Sequence, residues 1–285
     1  MPEIDLAYLP VVGRGEQINI ICAMHGIKVN SLMSNPMGDD FNKDTQAPFG
    51  TVPWMKDHAN GLELNDSMAI VQYLVTKYEG PLTPSDADQA ARVAMYWSWC
   101  QDYYSFVLSP FHDIITGHNE PFWRNLRLTD TLAEGGKELG IKNLTTLHTN
   151  RSNLLEKNLA ASSSAKPFMT GSSCSYADIF LYTCVRTVQE TGGFGILRDE
   201  FGGDPFKDCP TIESICSEVG RINEVVQTVG SKFSDLFKNL QKQYSQNLKI
   251  LTHSFAHLEN LKLCHDDDYI KKVTKDELTK DNLRL

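Results

Sequence analysis

The chain has 285 residues, of which 41% are hydrophobic and 22% charged, enough to bury a sizeable core over one large or two ordinary domains. Its net charge of −9 argues against a nucleic-acid binder, which needs a basic face, but leaves room for a small anionic ligand held by one local Arg or Lys. Seven cysteines (22, 100, 174, 184, 209, 216 and 264) form no CxxC pair and show no metal-ligand spacing, so they read as reduced thiols in a cytoplasmic protein. No signal-peptide pattern opens the chain, no apolar run reaches the length of a membrane span, and Asn282–Leu285 is no recognisable lipidation signal.

Residues 3–9 alternate, with Ile4, Leu6 and Tyr8 on one face, which predicts a strand. Residues 15–25 carry Ile18, Ile21, Cys22 and His25 at helical spacing, and Gly26 is a natural stop. Residues 27–33 alternate again, giving strand, helix, strand with a right-handed crossover. Val52–Met55 and Leu62–Leu64 predict two short strands, and Ser67–Tyr78 a helix with Met68, Val71, Leu74, Val75 and Tyr78 on one face. The order βαβ-ββα is that of a thioredoxin-like domain over residues 1–80.

Gly80-Pro81-Leu82-Thr83-Pro84 reads as a linker. Beyond it no strand is evident. Residues 86–108 predict an aromatic-rich helix, and 109–145 an interrupted helical region containing Pro110, Pro121 and Gly135-Gly136. Residues 144–160 predict another helix. Ser175-Tyr176-Ala177-Asp178 has the form of a capping box, with Cys174 and Ile179 at the staple positions. The fold class expected is therefore α/β followed by all-α: an N-terminal βαβ-ββα domain, then an all-helical domain over 85–229. Residues 230–285 are expected to be a helical extension, in which Phe233, Leu236, Phe237, Leu240, Tyr244, Leu248 and Leu251 recur at helical spacing. That extension reads as packing on the second domain or as a partner-binding helix.

Four motifs stand in order within the first 78 residues: the strand ending at Tyr8, Gly13-Arg14-Gly15-Glu16, Phe49-Gly50-Thr51-Val52-Pro53, and Asp66-Ser67-Met68-Ala69-Ile70. In that order and spacing the chain resembles the cytosolic glutathione transferases, nearest to the tyrosine-type, sigma-like classes. The resemblance implies that Tyr8 donates a hydrogen bond to the thiol of glutathione and favours the thiolate, since a free thiol has a pKa of about 8.5. It implies that Arg14 organises the site. Thr51, Val52 and Pro53 would form the family's cis-proline turn, whose open main-chain edge pairs with the peptide ligand. Asp66 and Ser67, at a helix N-terminus, would hold the γ-glutamyl group, and Lys43 the glycine carboxylate. Tyr103, Tyr104 and Phe106 would line the electrophile pocket; the bland reading of the aromatic stripe is core. Phe49 resembles the apolar key that some classes insert into a partner subunit.

Glutathione is thus the implied co-substrate, without a metal, a small electrophile the second substrate, and a homodimer the implied assembly. No nucleic acid or membrane partner is expected. Val12 stands where an Arg is common, Asp66 where Gln or Glu is usual, and Ser98 where an aspartate reaches across the dimer, with Asp102 one turn later. These departures leave two alternatives open: a catalytically weak or inactive structural or interaction protein, and a glutathione-dependent isomerase of the prostaglandin-synthase type. A thiol-transfer protein ranks below both, because the nearest cysteine, Cys22, lies deep in the first helix.

Overall fold

The computed structural model describes residues 2–9, 13–34, 40–108, 128–162, 167–190 and 195–223, together with Val225 and Thr228. The expected helices of residues 230–285 and the departure at Val12 lie outside the described residues.

The N-terminal half is a four-stranded mixed sheet in the order β2-β1-β3-β4. Strand β1 (Ile4–Tyr8) runs parallel to β2 (Val29–Met33), with Ile4 opposite Val29 and Tyr8 opposite Met33. Helix α1 (Arg14–Met24) makes the crossover between them. Strand β3 (Trp54–Asp57) pairs antiparallel with β1, and β4 (Glu63–Asn65) antiparallel with β3. A short α2 (Lys43–Gln46) precedes β3, and α3 (Ser67–Lys77) follows β4. Both faces of β1 are covered, so its alternation is incomplete. Ile4 and Leu6 join the main core, while Ala7 packs with Phe41, Ala47 and Trp54 in a second cluster on the other face.

The second half is helical: α4 (Ala87–Tyr103), a π-helical turn (Tyr104–Leu108), α5 (Leu128–Ala161), α6 (Tyr176–Glu190), α7 (Gly195–Phe201) and α8 (Pro210–Gly220). Helix α5 runs unbroken through Gly135-Gly136, where the sequence predicted an interruption. Glycine lowers helix propensity by about 1 kcal/mol per residue, which a long helix tolerates. Helix α6 opens on the capping box read from the sequence. The Asp178 carboxylate accepts from Ser175 N–H (2.8 Å), Ser175 Oγ (2.5 Å) and Met169 N–H (2.8 Å). Helix α8 begins at Pro210, and its free Thr211 and Ile212 amides donate to the Glu156 carboxylate of α5 at 2.9–3.0 Å.

One hydrophobic core runs through both halves, from Leu6 and Met55 through Ile21 and Leu74 to Trp97 and Phe180. Polar bonds cross the same boundary: Trp97 Nε1 donates to the buried Gln17 at 3.1 Å, and Gln72 donates to Tyr176 at 3.3 Å. Such shared burial fixes the orientation of the helical half over α1 and α3. Among the described residues no helix is long and apolar enough to cross a membrane.

The end of β3 carries a buried carboxylate. Asp57 is fully enclosed and accepts from Lys77 (2.6 Å), Tyr73 (2.8 Å), Tyr78 (2.9 Å) and the Ala59 amide (2.8 Å). Burial pushes its pKa up, but the hydrogen bonds outweigh this and hold it at about 2, against an ordinary 3.8. The folded pKa is depressed, so the stabilisation is present above about pH 4 and is lost as pH falls toward about 2. Asp57→Asn should cost about 2 kcal/mol at neutral pH and flatten the acid limb of stability. Urea unfolding at several pH values checks both expectations; parallel acid limbs would show that Asp57 does not set them.

Candidate functional site

Sheet register gathers the four sequence motifs at one edge. Ala7 lies opposite Trp54, and Trp54 opposite Asn65. The end of β1 with Tyr8, the turn before β3 with Pro53, and the residues after β4 with Asp66 and Ser67 therefore share one end of the sheet. The N-terminus of α1 also reaches this end, because the Arg14 N–H donates to the Tyr8 hydroxyl oxygen at 3.0 Å.

Tyr8 is held by two glycines. A Cβ on Gly15 would fall 2.3 Å from Tyr8 Cδ1 and Cγ, and one on Gly13 would fall 2.8 Å from the Tyr8 hydroxyl and 2.7 Å from that of Tyr104. Only a residue without a side chain admits the Tyr8 ring so close to the backbone. Burial raises the Tyr8 pKa. The Arg14 charge and hydrogen bonds from the Arg14 N–H, the Tyr104 hydroxyl and the Gly15 N–H act the other way without cancelling it. The phenol therefore stays protonated at neutral pH and keeps an O–H to donate.

Arg14 does not point at open solvent. Its Nη2 donates to Ser105 Oγ at 2.6 Å, and its guanidinium lies 5.0 Å from the centre of the Tyr104 ring. It thereby ties the start of α1 to the π-helical turn after α4.

The Val52-Pro53 peptide bond is cis. Asn65, buried at the end of β4, shapes the segment before it: its amide nitrogen donates to Thr51 O (2.9 Å) and Pro53 O (2.8 Å), and its oxygen accepts from the Phe49 N–H (3.1 Å). Asp66 has φ of +82° and is the N-cap of α3, its carboxylate accepting from Met68 N–H at 2.8 Å. Ser67 is buried, and its Oγ accepts from Gln101 of α4 at 3.1 Å. Lys43, at the start of α2, pairs with Asp44 at 2.9 Å and reaches the Gly50 carbonyl at 3.5 Å, just before Thr51.

The three aromatic pocket candidates separate. Tyr104 meets Tyr8 and Arg14 and stacks on Phe180, with ring centres 6.0 Å apart. Phe106 is half-buried beneath Arg151, 5.4 Å away. Tyr103 is not at the sheet end: it is buried in the helical half, where its hydroxyl lies 2.6 Å from His148 Nδ1 and its ring stacks on Trp99. The burial stripe of α4 (Val93, Tyr96, Trp97, Cys100, Tyr103) has helical period and draws Tyr103 into the core, so the expectation that it lines the pocket is corrected. Ser98 and Asp102, the candidates for cross-subunit contact, are exposed on the other side of α4. The sequence reading did not single out Asn65, Gln101 or Ser105. Their roles depend on partners 12 to 91 residues away, and no local pattern marks them.

A thioredoxin-like sheet end that presents a protonated tyrosine, a cis-proline turn and a helix N-terminus, backed by an all-helical half, defines the glutathione-transferase fold. Known proteins agree with that assignment. The chain is 32% identical over 99 residues to glutathione S-transferase D7 of Drosophila melanogaster, a match covering 33% of the chain but less than half, 43%, of that relative. Among solved structures it is similar to the glutathione S-transferase of Ascaris lumbricoides (20% identity, 81% of this chain and 98% of that one, TM-score 0.59). It is likewise similar to Ure2p5 of Phanerochaete chrysosporium cocrystallised with 1-(S-glutathionyl)-2,4-dinitrobenzene (18% identity, 84% and 98%, TM-score 0.60). No family model matches the chain. The solved structures show that the chain has the glutathione-transferase fold.

Proposed function

We propose that this chain is a glutathione transferase of the tyrosine type, nearest to the sigma-like classes, with Tyr8 as its catalytic residue. One observation carries the reading: the Tyr8 hydroxyl, protonated and fixed against Gly13, Gly15 and the Arg14 amide, stands at the sheet end shared by Val52-Pro53 and Asp66-Ser67. Glutathione would lie across that end. Its cysteine backbone pairs with the main chain at Val52, its γ-glutamyl group meets the α3 N-terminus at Asp66 and Ser67, and its glycine carboxylate meets Lys43. Thr51 and Pro53 shape the turn, and Arg14 holds the α1 end in register.

The chemistry follows from the donor. Tyr8 O–H donates to the glutathione sulfur and lowers its pKa from about 8.5, each unit being worth about 1.4 kcal/mol. The thiol proton leaves to solvent. The thiolate attacks the electrophilic carbon of a docked apolar substrate, a sulfur–carbon bond forms, and the leaving group departs with its electron pair. Tyr104 and Phe106 wall the space where that substrate docks. The same thiolate serves peroxide reduction or isomerisation; the cocrystallised adduct of Ure2p5 is that of an aryl conjugation, which supports testing conjugation first.

The assembly we propose is a homodimer. Phe49 is 75% exposed on the turn before Pro53, and Met95 is 56% exposed on α4, large apolar side chains of the kind that a subunit interface covers. A cytoplasmic location suits the six described cysteines, all of which are free thiols.

Conjugation of glutathione to an aryl halide tests the reading. Tyr8→Phe should lower kcat/KM at least tenfold, about 1.4 kcal/mol of transition-state stabilisation. Equal rates for the intact protein and Tyr8→Phe would remove Tyr8 from the mechanism. No conjugation and no retention on immobilised glutathione by the intact protein would leave the fold as a binding scaffold.

A further inference from the structure

The Tyr8 oxygen has more partners than a simple thiol donor requires. A phenol oxygen offers one proton and two acceptor positions. At Tyr8 the acceptor side is taken by the Arg14 N–H at 3.0 Å and by the Tyr104 hydroxyl, which hydrogen-bonds to it, with the Gly15 N–H also directed at it. Both hydroxyls crowd the open side of Gly13, 2.7 and 2.8 Å from where a Cβ would stand. The Tyr104 ring has little freedom to leave. Phe180 of α6 stacks on it, the Arg14 guanidinium lies against it at 5.0 Å, and Ser105, the next residue, is bound to Arg14 at 2.6 Å. Tyr104 also opens the π-helical turn that ends α4, a local departure from α-helix of the kind that recurs at functional sites.

We propose that Tyr104 is a positioning residue for the thiol-activating group: its hydroxyl donates to the Tyr8 oxygen, directs the Tyr8 proton away from the protein toward the glutathione sulfur, and polarises that O–H. The inference rests on the thiolate reading of Tyr8 and adds a second hydroxyl to it. Hydrogen bonds in a chain strengthen one another, so a phenol that accepts from two donors is a better donor itself. The helical half therefore contributes to the chemistry, because Tyr104 lies beyond α4 while the glutathione-binding motifs lie before the linker. Among the described residues, the other titratable groups facing the pair are Arg14 of α1 and Cys184 of α6. The Arg14 charge favours both ionised phenols; the Cys184 thiol, whose own pKa burial raises, carries no charge at neutral pH.

The test uses Tyr104→Phe, which keeps the ring against Phe180 and Arg14 and removes only the hydroxyl. Two titrations are read on the full chain. Without ligand, the ultraviolet phenolate titration of Tyr8, isolated by difference from Tyr8→Phe, should move to higher pH in Tyr104→Phe because the phenolate loses a donor. With glutathione bound, the thiolate absorbance should titrate about half a unit or more higher than in the intact protein, with glutathione affinity unchanged at a pH low enough to keep the bound thiol protonated. Tyr103→Phe, which removes a hydroxyl in the helical core, should move neither titration and controls for general loosening. Superimposed curves for the intact protein and Tyr104→Phe in both titrations would overturn the proposal. A phenol shift without a thiol shift would overturn it as well, by confining the contact to structure. If the intact protein binds no glutathione, the thiolate reading of Tyr8 falls, and with it the catalytic part of the inference. The phenol titration would still decide separately whether Tyr104 donates to Tyr8.

Discussion

Asp178→Ala is expected to destabilise the chain by about 3 kcal/mol or more, because it strips the acceptor from several buried donors at once. Asp178 is fully enclosed at the first turn of α6, the helix against which both α1 and α4 pack. Its carboxylate takes the Ser175 amide, the Ser175 hydroxyl and the Met169 amide, so it closes the capping box and also pins the loop before it. An unsatisfied buried donor costs about 1–3 kcal/mol, and the lost cap adds about 1 more. Asp178→Asn keeps one acceptor oxygen and should cost less. Chemical unfolding of the two variants checks the order. Equal, small losses would mean that the loop and helix relax independently of the cap. Burial raises the Asp178 pKa above the ordinary carboxylate value. With that sign, acid does not weaken folding through this group; the acid-sensitive carboxylate is Asp57, whose pKa is shifted the other way.

Gly15→Ala is expected to lower conjugation about a hundredfold, the scale of loss that follows a displacement of about 1 Å in a catalytic group. The added methyl would sit 2.3 Å from two Tyr8 ring atoms, Cδ1 and Cγ, and 2.9 Å from Tyr8 Cβ. Neither side can yield cheaply. Gly15 is in the first turn of α1, and Tyr8 is anchored by its strand and by the Arg14 amide. The ring must move, and its hydroxyl leaves the sheet end. Overpacking of this kind also costs about 1–3 kcal/mol of stability. Kinetics and thermal unfolding of the same preparation separate the two effects. Full activity in a folded Gly15→Ala protein would show that Tyr8 does not work from the position described.

Much of this arrangement was legible in the residues. Alternation in 3–9 and the helical spacing of 15–25 and 67–78 gave their elements to within a residue or two. Each carries its apolar residues at a regular period, and Gly26 marks the stop after α1. The strand predicted at Val52–Met55 begins instead at Trp54. The cis-proline segment before it is held by the Asn65 side chain and by the Asp66 amide just past β4. The capping box was readable because all its parts lie within four residues. Tyr103 and Tyr104 show where local reading stops. They are adjacent and alike in the sequence, yet one closes the α4 core stripe and the other begins the π-helical turn and meets Tyr8. The stripe at 93, 96, 97, 100 and 103 could have assigned Tyr103 to the core. Nothing local could have turned Tyr104 toward a strand nearly a hundred residues earlier in the chain.

The central claim, that this sheet end binds glutathione and ionises its thiol through Tyr8, is tested most directly by a pH titration. The thiolate absorbance of glutathione bound to the intact protein and to Tyr8→Phe would be followed across the neutral range. The account predicts saturable binding to both proteins, with the thiol ionising below its free value of about 8.5 in the intact protein and returning toward that value in Tyr8→Phe. Saturable binding with identical titrations in the two proteins, or no binding to the intact protein, would contradict it.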